Sequence, residues 1–194
     1  GRPHRGTGGV FDAARTNGGD TVVMGYGGTR FAGGRVEGSL DEIARDLPCD
    51  FLVLDGQRLD LSDVLVPTAG GPSSDLSAEV ARALRETVGV DVSLLYVVDE
   101  GDEESGRKFL SGWADGHGLG DADLRIETGG VEETIGRVGE SYDLVIIGAT
   151  ERGLLSRIVR GSLAFETIER LDTPVLLSER PSARSLWERL FGGR

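Results

Sequence analysis

Lysine occurs once in this chain, at Lys108, and cysteine once, at Cys49. A lone cysteine excludes an intramolecular disulfide and any Cys-x-x-Cys metal or redox pair, which suits a reducing cytoplasm. The two histidines, His4 and His117, stand far apart in glycine-rich sequence, so no clustered metal site is expected. No apolar run approaches the roughly 18 residues of a membrane span. Positive charge is also scarce: 21 basic against 33 acidic residues leave a net charge of −12. That balance excludes the basic face through which proteins grip nucleic acid. The opening "GRPHRGTGG" has neither the apolar stretch of a signal peptide nor an initiator methionine, so a fragment or a processed chain is expected.

What is present suffices for a packed core. The 194 residues are 38% hydrophobic and fit one domain comfortably, or two only if both are small. Abundant Asp and Glu with almost no Lys resembles the proteins of salt-loving microbes, in which strong salt screens repulsion between surface carboxylates. Short runs rich in Val, Ile and Leu recur at 21–24, 51–54, 63–67, 92–98, 124–126, 144–147 and 174–178. They do not alternate with polar residues, the pattern of strands buried on both faces of a parallel sheet. Helical spacing lies between them. In "SSDLSAEVARALRETVG", Leu76, Val80, Leu84 and Val88 fall four residues apart, with Ser74 or Asp75 expected as N-cap and Gly89 as the stop. Further helices are expected near 38–47, 104–116, 130–140 and 161–172. Strand alternating with helix means an α/β fold with right-handed crossovers.

The chain also repeats itself. Residues 20–40 align without a gap on 143–163, sharing Asp20/Asp143, Val22/Val145, Gly25/Gly148, Val36/Val159, Gly38/Gly161, Ser39/Ser162 and Leu40/Leu163. After a one-residue slip, "CDFLVL" answers "TPVLL". The copies are unequal. Residues 60–179 hold five strands and four helices, a whole domain, whereas 1–58 hold only the C-terminal half of one.

A loop that leaves the C-terminal end of a parallel strand and enters a helix is a natural phosphate site. Glycine lets the backbone come close, and the helix N-terminus offers unpaired N–H groups and a positive dipole end. The first copy reads Gly25, two residues, Gly28, nine residues, Gly38, Ser39. That spacing, with "VLVPTAGGPSSDLSAEVARAL" and "DLVIIGATERGLLSRIVRGS", resembles the universal stress protein family over 60–179, and over half a second domain at about 8–55. The tail "ERPSARSLWERLFGGR" (179–194) is similar to the ends of such domains appended to amino-acid permeases of halophilic archaea. The resemblance implies a Rossmann-like open five-stranded parallel sheet of order 3-2-1-4-5, and a non-catalytic regulatory module that senses ATP or AMP. It implies nucleotide contacts at Gly25, Gly28, Gly38 and Ser39, and at Thr68, Ala69, Gly148, Gly161 and Ser162. It also implies self-association through the last strand of each repeat, and an attached membrane transporter. Two positions depart from the family: Ala69 stands where nucleotide binders place an adenine-contacting Asp, and Glu151 replaces the inner glycine.

Other residues have blander readings. The acidic run "DEGDEESG" (99–106) lacks the DxDxDG core of a calcium loop and reads as solvated. Cys49, at a strand entrance, reads as core. Arg152, Arg157 and Arg160 read as a solvated helix face more readily than as phosphate ligands. "GGPSSDL" has no GxSxG elbow for a hydrolase, and "PTAGGPSSD" only brushes against the SGGxDS-type loop of an ATP-using transferase. Leu186, Trp187, Leu190 and Phe191 make an apolar stripe suited to docking on a neighbouring domain. Three functions therefore compete: the nucleotide-sensing regulator, a purely structural association module, and a small ATP-using enzyme.

Overall fold

The computed structural model describes residues 16, 18–26, 49–56, 61–148 and 172–180. These hold seven strands and three helices in the order β1 (Thr21–Tyr26), β2 (Asp50–Asp55), β3 (Asp63–Pro67), α1 (Pro72–Val88), β4 (Asp91–Val98), α2 (Glu103–Gly116), β5 (Asp123–Thr128), α3 (Val131–Gly139), β6 (Leu144–Gly148) and β7 (Val175–Glu179). The apolar runs of the sequence are these strands, each within a residue or two. They form one open sheet of order β1-β2-β7-β6-β3-β4-β5. Counted from β3, the last five strands follow the expected order 3-2-1-4-5, all parallel.

Burial on both faces explains why these strands carry Val, Ile and Leu without alternation. Val64, Val66, Val92, Leu94, Leu144 and Ile146 join one cluster with Leu76, Ala78 and Ala81 of α1 and Leu110 and Ala114 of α2. Their odd-numbered neighbours Leu65, Leu95 and Val145 point to the opposite face and are fully buried as well. The chain steps outward from β3 to β5 and then returns to β6, so right-handed crossovers put α1 and α2 on one face and α3 on the other.

Helix α1 starts earlier than its pattern suggests. Gly71 is the N-cap and Pro72 follows it, rather than Ser74 or Asp75 capping the helix; proline at the first turn loses no hydrogen bond that the helix would have made. The buried side is also different. Ser73, Ser74, Ser77, Ala78 and Ala81 are buried with Leu76, whereas Val88 is exposed. The N-terminal half of α1 lies on β6 and β7, mostly through small residues, and its C-terminal end emerges into solvent. Gly89 closes the helix in the left-handed conformation, as expected.

The expected pairing of the segment 51–54 with 174–178 is present. Strands β2 and β7 run antiparallel, with Phe51 opposite Glu179 and Asp55 opposite Val175. On either side of this seam lies a parallel pair. Val22 faces Phe51 in one and Val145 faces Val175 in the other, positions that the sequence alignment with its one-residue slip pairs with each other.

Arg180 clamps the seam from one end. Its Nε donates to Asp50 Oδ1 at 3.2 Å and its Nη2 to Asp50 Oδ2 at 2.9 Å. Nη1 and Nη2 donate to the two carboxylate oxygens of Glu79, at 3.0 and 2.7 Å. The guanidinium so ties the start of β2 to α1. It holds the Glu79 carboxyl below its usual range, chiefly through that hydrogen bond, and is itself held above the ordinary arginine value by Glu79 and Asp50. Arg180→Met should leave the two carboxylates facing each other and lower stability by about 1 kcal/mol in dilute salt, less in molar salt. Urea denaturation at two ionic strengths measures this; an equal loss at both would mean that the clamp works through packing rather than charge.

Candidate functional site

In an open parallel sheet the ligand crevice forms where strand order reverses, outside the C-terminal ends of the two strands concerned. Here those strands are β3 and β6. The chain leaves β3 through Thr68, Ala69, Gly70 and Gly71. Thr68 is buried; its N–H extends the ladder to the Leu95 carbonyl at 2.9 Å, and its Oγ1 accepts from Gly70 N at 3.1 Å. This side-chain turn, followed by two residues at φ 79° and 90°, folds the chain back into α1. Ala69 is exposed at the rim. Its methyl group cannot accept a hydrogen bond from an adenine amino group.

Gly148, the last residue of β6, is crowded by α1. A Cβ there would stand 2.6 Å from the Ser73 carbonyl carbon and 2.7 Å from both Ser73 O and Ser74 N, all of them backbone. The missing side chain therefore lets the helix N-terminus rest on the strand end. A buried hydroxyl cluster secures this approach: Ser77 Oγ and Ser178 Oγ lie 2.7 Å apart, so one hydroxyl donates to the other and the second to the Ser73 carbonyl, which lies 3.2 and 3.1 Å from the two oxygens. Sequence reasoning missed this cluster; its signal was the run Ser73, Ser74, Ser77 facing a lone strand serine.

Gly25 lies elsewhere. Gly148 stands opposite Ser178, Ser178 opposite Leu52, and Leu52 opposite Val23. Strands β1 and β6 are thus three strand spacings apart, about 14 Å, and run in opposite directions. Gly25 and Gly148 therefore stand near strand ends that point in opposite directions. A Cβ on Gly25 would meet nothing within 4 Å.

Of the sequence-derived site residues, the structure places Thr68, Ala69 and Gly148 together at the β3/β6 crevice. Gly28, Gly38, Ser39, Gly161 and Ser162 lie outside the described residues, as do Glu151, Arg152, Arg157, Arg160, His4, the helices expected at 38–47 and 161–172, and the apolar stripe of the tail. His117 joins α2 to α1: its Nε2 lies 3.1 Å from Asp75 Oδ1, which also accepts from Trp113 Nε1 at 3.2 Å, and its Nδ1 lies 2.7 Å from the Trp113 carbonyl. No metal-ligand cluster is present among the described residues. Cys49 is buried, and burial first, then Asp50 and Asp20, pushes its thiol up.

One titratable group was not anticipated. Glu179, opposite Phe51 in the seam, has a buried Oε2 with no hydrogen-bond partner among the described residues, and burial pushes its carboxyl up to about 7.

No family model and no curated protein matches the chain in sequence. Solved structures do match its fold. A universal stress protein from Archaeoglobus fulgidus DSM 4304 is similar over 90% of this chain and 65% of its own length, with TM-score 0.63 and 18% identity. A functionally unknown protein from Pseudomonas aeruginosa PAO1 matches over 94% of this chain and 70% of its own, with TM-score 0.64 and 16% identity. The cytoplasmic domain of a prokaryotic cation chloride cotransporter matches over 87% and 69%, with TM-score 0.60 and 11% identity. The fold is thus of the universal stress protein type. The chain spans only 65% of the length of the Archaeoglobus protein.

Proposed function

We propose that this chain is a non-catalytic regulatory module of universal-stress type, whose β3/β6 crevice receives adenine nucleotide, ATP or AMP, with low affinity. The observation that carries the reading is the switch point itself, where the Thr68–Gly71 turn and the end of β6 converge on the N-terminus of α1. Residues 60–179 are the complete domain, 1–58 the C-terminal half of another, and 180–194 a docking tail. The two units associate through their last strands, β2 and β7. The likeness to a cotransporter's cytoplasmic domain and the permease-like tail support attachment to a membrane transporter on its cytoplasmic side. Among the described residues no helix is long and apolar enough to cross a membrane.

Low affinity follows from the chemistry. Ala69 offers adenine no acceptor, and Glu151 puts a carboxylate in the phosphate loop. Like charges ~4 Å apart repel by about 1 kcal/mol in water and about 4 at an effective dielectric of 20, roughly five- to a thousandfold in affinity. Calorimetry should give a dissociation constant for ATP no tighter than about millimolar, with the nucleotide recovered unchanged. Ala69→Asp with Glu151→Gly should tighten it at least about tenfold. A double variant that binds no better would favour the second reading, an association module without ligand, to which the continuous β2–β7 seam already points.

A further inference from the structure

We propose a second binding site, for a small organic cation carrying an apolar or aromatic body, in the cleft at the C-terminal ends of β4 and β5. The cleft encloses about 490 Å³, within the usual range for small-molecule sites. Its floor is apolar. The Tyr96 and Phe109 rings pack with centroids 4.8 Å apart, beside Val98 and Val131. Gly106 closes that floor: a Cβ there would come within 2.7 Å of Val98 Cγ1 and 3.4 Å of Tyr96, so only glycine lets α2 sit this low on β4.

Two observations set the ligand's character. Among the described residues only four large hydrophobic side chains are exposed, and two of them, Phe109 at 39% and Val131 at 51%, line this cleft. The rim carries the carboxylates of Asp99 and Asp102 and the Ser105 hydroxyl, with no Lys or Arg among the described lining residues. Asp102 sits at the N-cap of α2 without making a side-chain cap bond. The N-termini of α2 and α3 both open here and by themselves would favour an anion. Their first turns already hold Glu103 and Glu104, and Glu132 and Glu133, which offset those dipoles. The balance selects a cation: an ammonium or guanidinium between the two aspartates, its body over the Phe109 face, where cation–π attraction adds to burial. The site is independent of the nucleotide reading. It adjoins the β3/β6 crevice where a Cβ on Gly70 would lie 3.4 Å from the Phe109 ring.

Three probes that share a phenethyl body and differ in head-group charge test it in 0.1 M salt: phenethylamine, 2-phenylethanol and 3-phenylpropionate, titrated into the 15N-labelled chain. Phenethylamine should shift the amides of Val98, Asp99 and Gly129 with a dissociation constant of about 1 mM or tighter. The alcohol should bind at least about tenfold more weakly and the carboxylate not at all. Asp99→Asn with Asp102→Asn should remove the preference for the amine while sparing the alcohol, and Phe109→Ala should weaken all binding; unchanged thermal unfolding of the aspartate pair verifies that these variants fold. Equal affinity for all three probes would reduce the cleft to an apolar patch, and preference for the carboxylate would make it an anion site. Either result, or no shift with phenethylamine, overturns the proposal.

Discussion

Glu179→Gln is expected to stabilise the chain at pH 8 and to leave it nearly unchanged at pH 4. The carboxyl is raised from 4.5 to about 7 by burial, so the folded chain keeps its proton in a pH interval where the unfolded chain has lost it. Below 4.5 both states are protonated and nothing is lost. As pH rises from 4.5 through 7, stability falls, because the folded state must either hold the proton against the solvent or bury a charge beside Phe51. The shift corresponds to about 3 kcal/mol, fully expressed above pH 7. For a chain of this size that is roughly 6–12 °C in Tm. Glutamine, which does not ionise, removes the slope. Thermal unfolding of both forms from pH 4 to 8, read as the difference between them, cancels the titration of the other carboxylates. Parallel curves would show that the Glu179 carboxylate finds water or a partner in solution.

Gly148→Ala should be nearly as costly in the other direction. The new methyl group meets the Ser73 and Ser74 backbone at 2.6–2.7 Å, and no side-chain rotation relieves it. The N-terminus of α1 must lift, breaking the Ser77–Ser178 contact and opening the face that covers Ile146 and Leu176. A loss of about 3 kcal/mol, at the upper end for overpacking, is expected. Gly25→Ala, at the position that aligns with Gly148 in sequence, has open space and should change stability by less than about 0.5 kcal/mol. Denaturant midpoints of the pair decide the matter. If Gly148→Ala is as benign as Gly25→Ala, the glycine serves close approach of a ligand rather than of a helix.

These two residues also show where the sequence stops being informative. Strands β3, β4 and β6 were readable because both their faces are buried, which removes polar alternation from the sequence. The β2–β7 pairing followed from the resemblance, which implies association through the last strand of each repeat and so covers the edge that "FLVL" would otherwise present. Gly148 was assigned to phosphate contact from its place in a loop motif, yet the motif is silent about the backbone of Ser73, distant in sequence, that presses on it. Glu179 reads as a polar strand end; its burial depends on Phe51, brought beside it only by the fold. The Tyr96–Phe109 cleft was missed because Phe109 sits amid charged residues, and helical spacing alone does not say which apolar side chain the core leaves out.

The β2–β7 seam also sets the order in which the molecule can be finished. Asp50 and the Arg180 that clamps it are 130 residues apart. A ribosome adding about 5–20 residues per second needs roughly 6–25 s to cover that interval. Throughout that wait β2 carries an unfilled ladder of N–H and C=O groups beside the nascent β3–β6 layers, open to any stray strand. Long-range closure of this kind is also slow in refolding. The seam should therefore be the last part to form, and the step at which crowding or a holding chaperone most affects the yield of native chain.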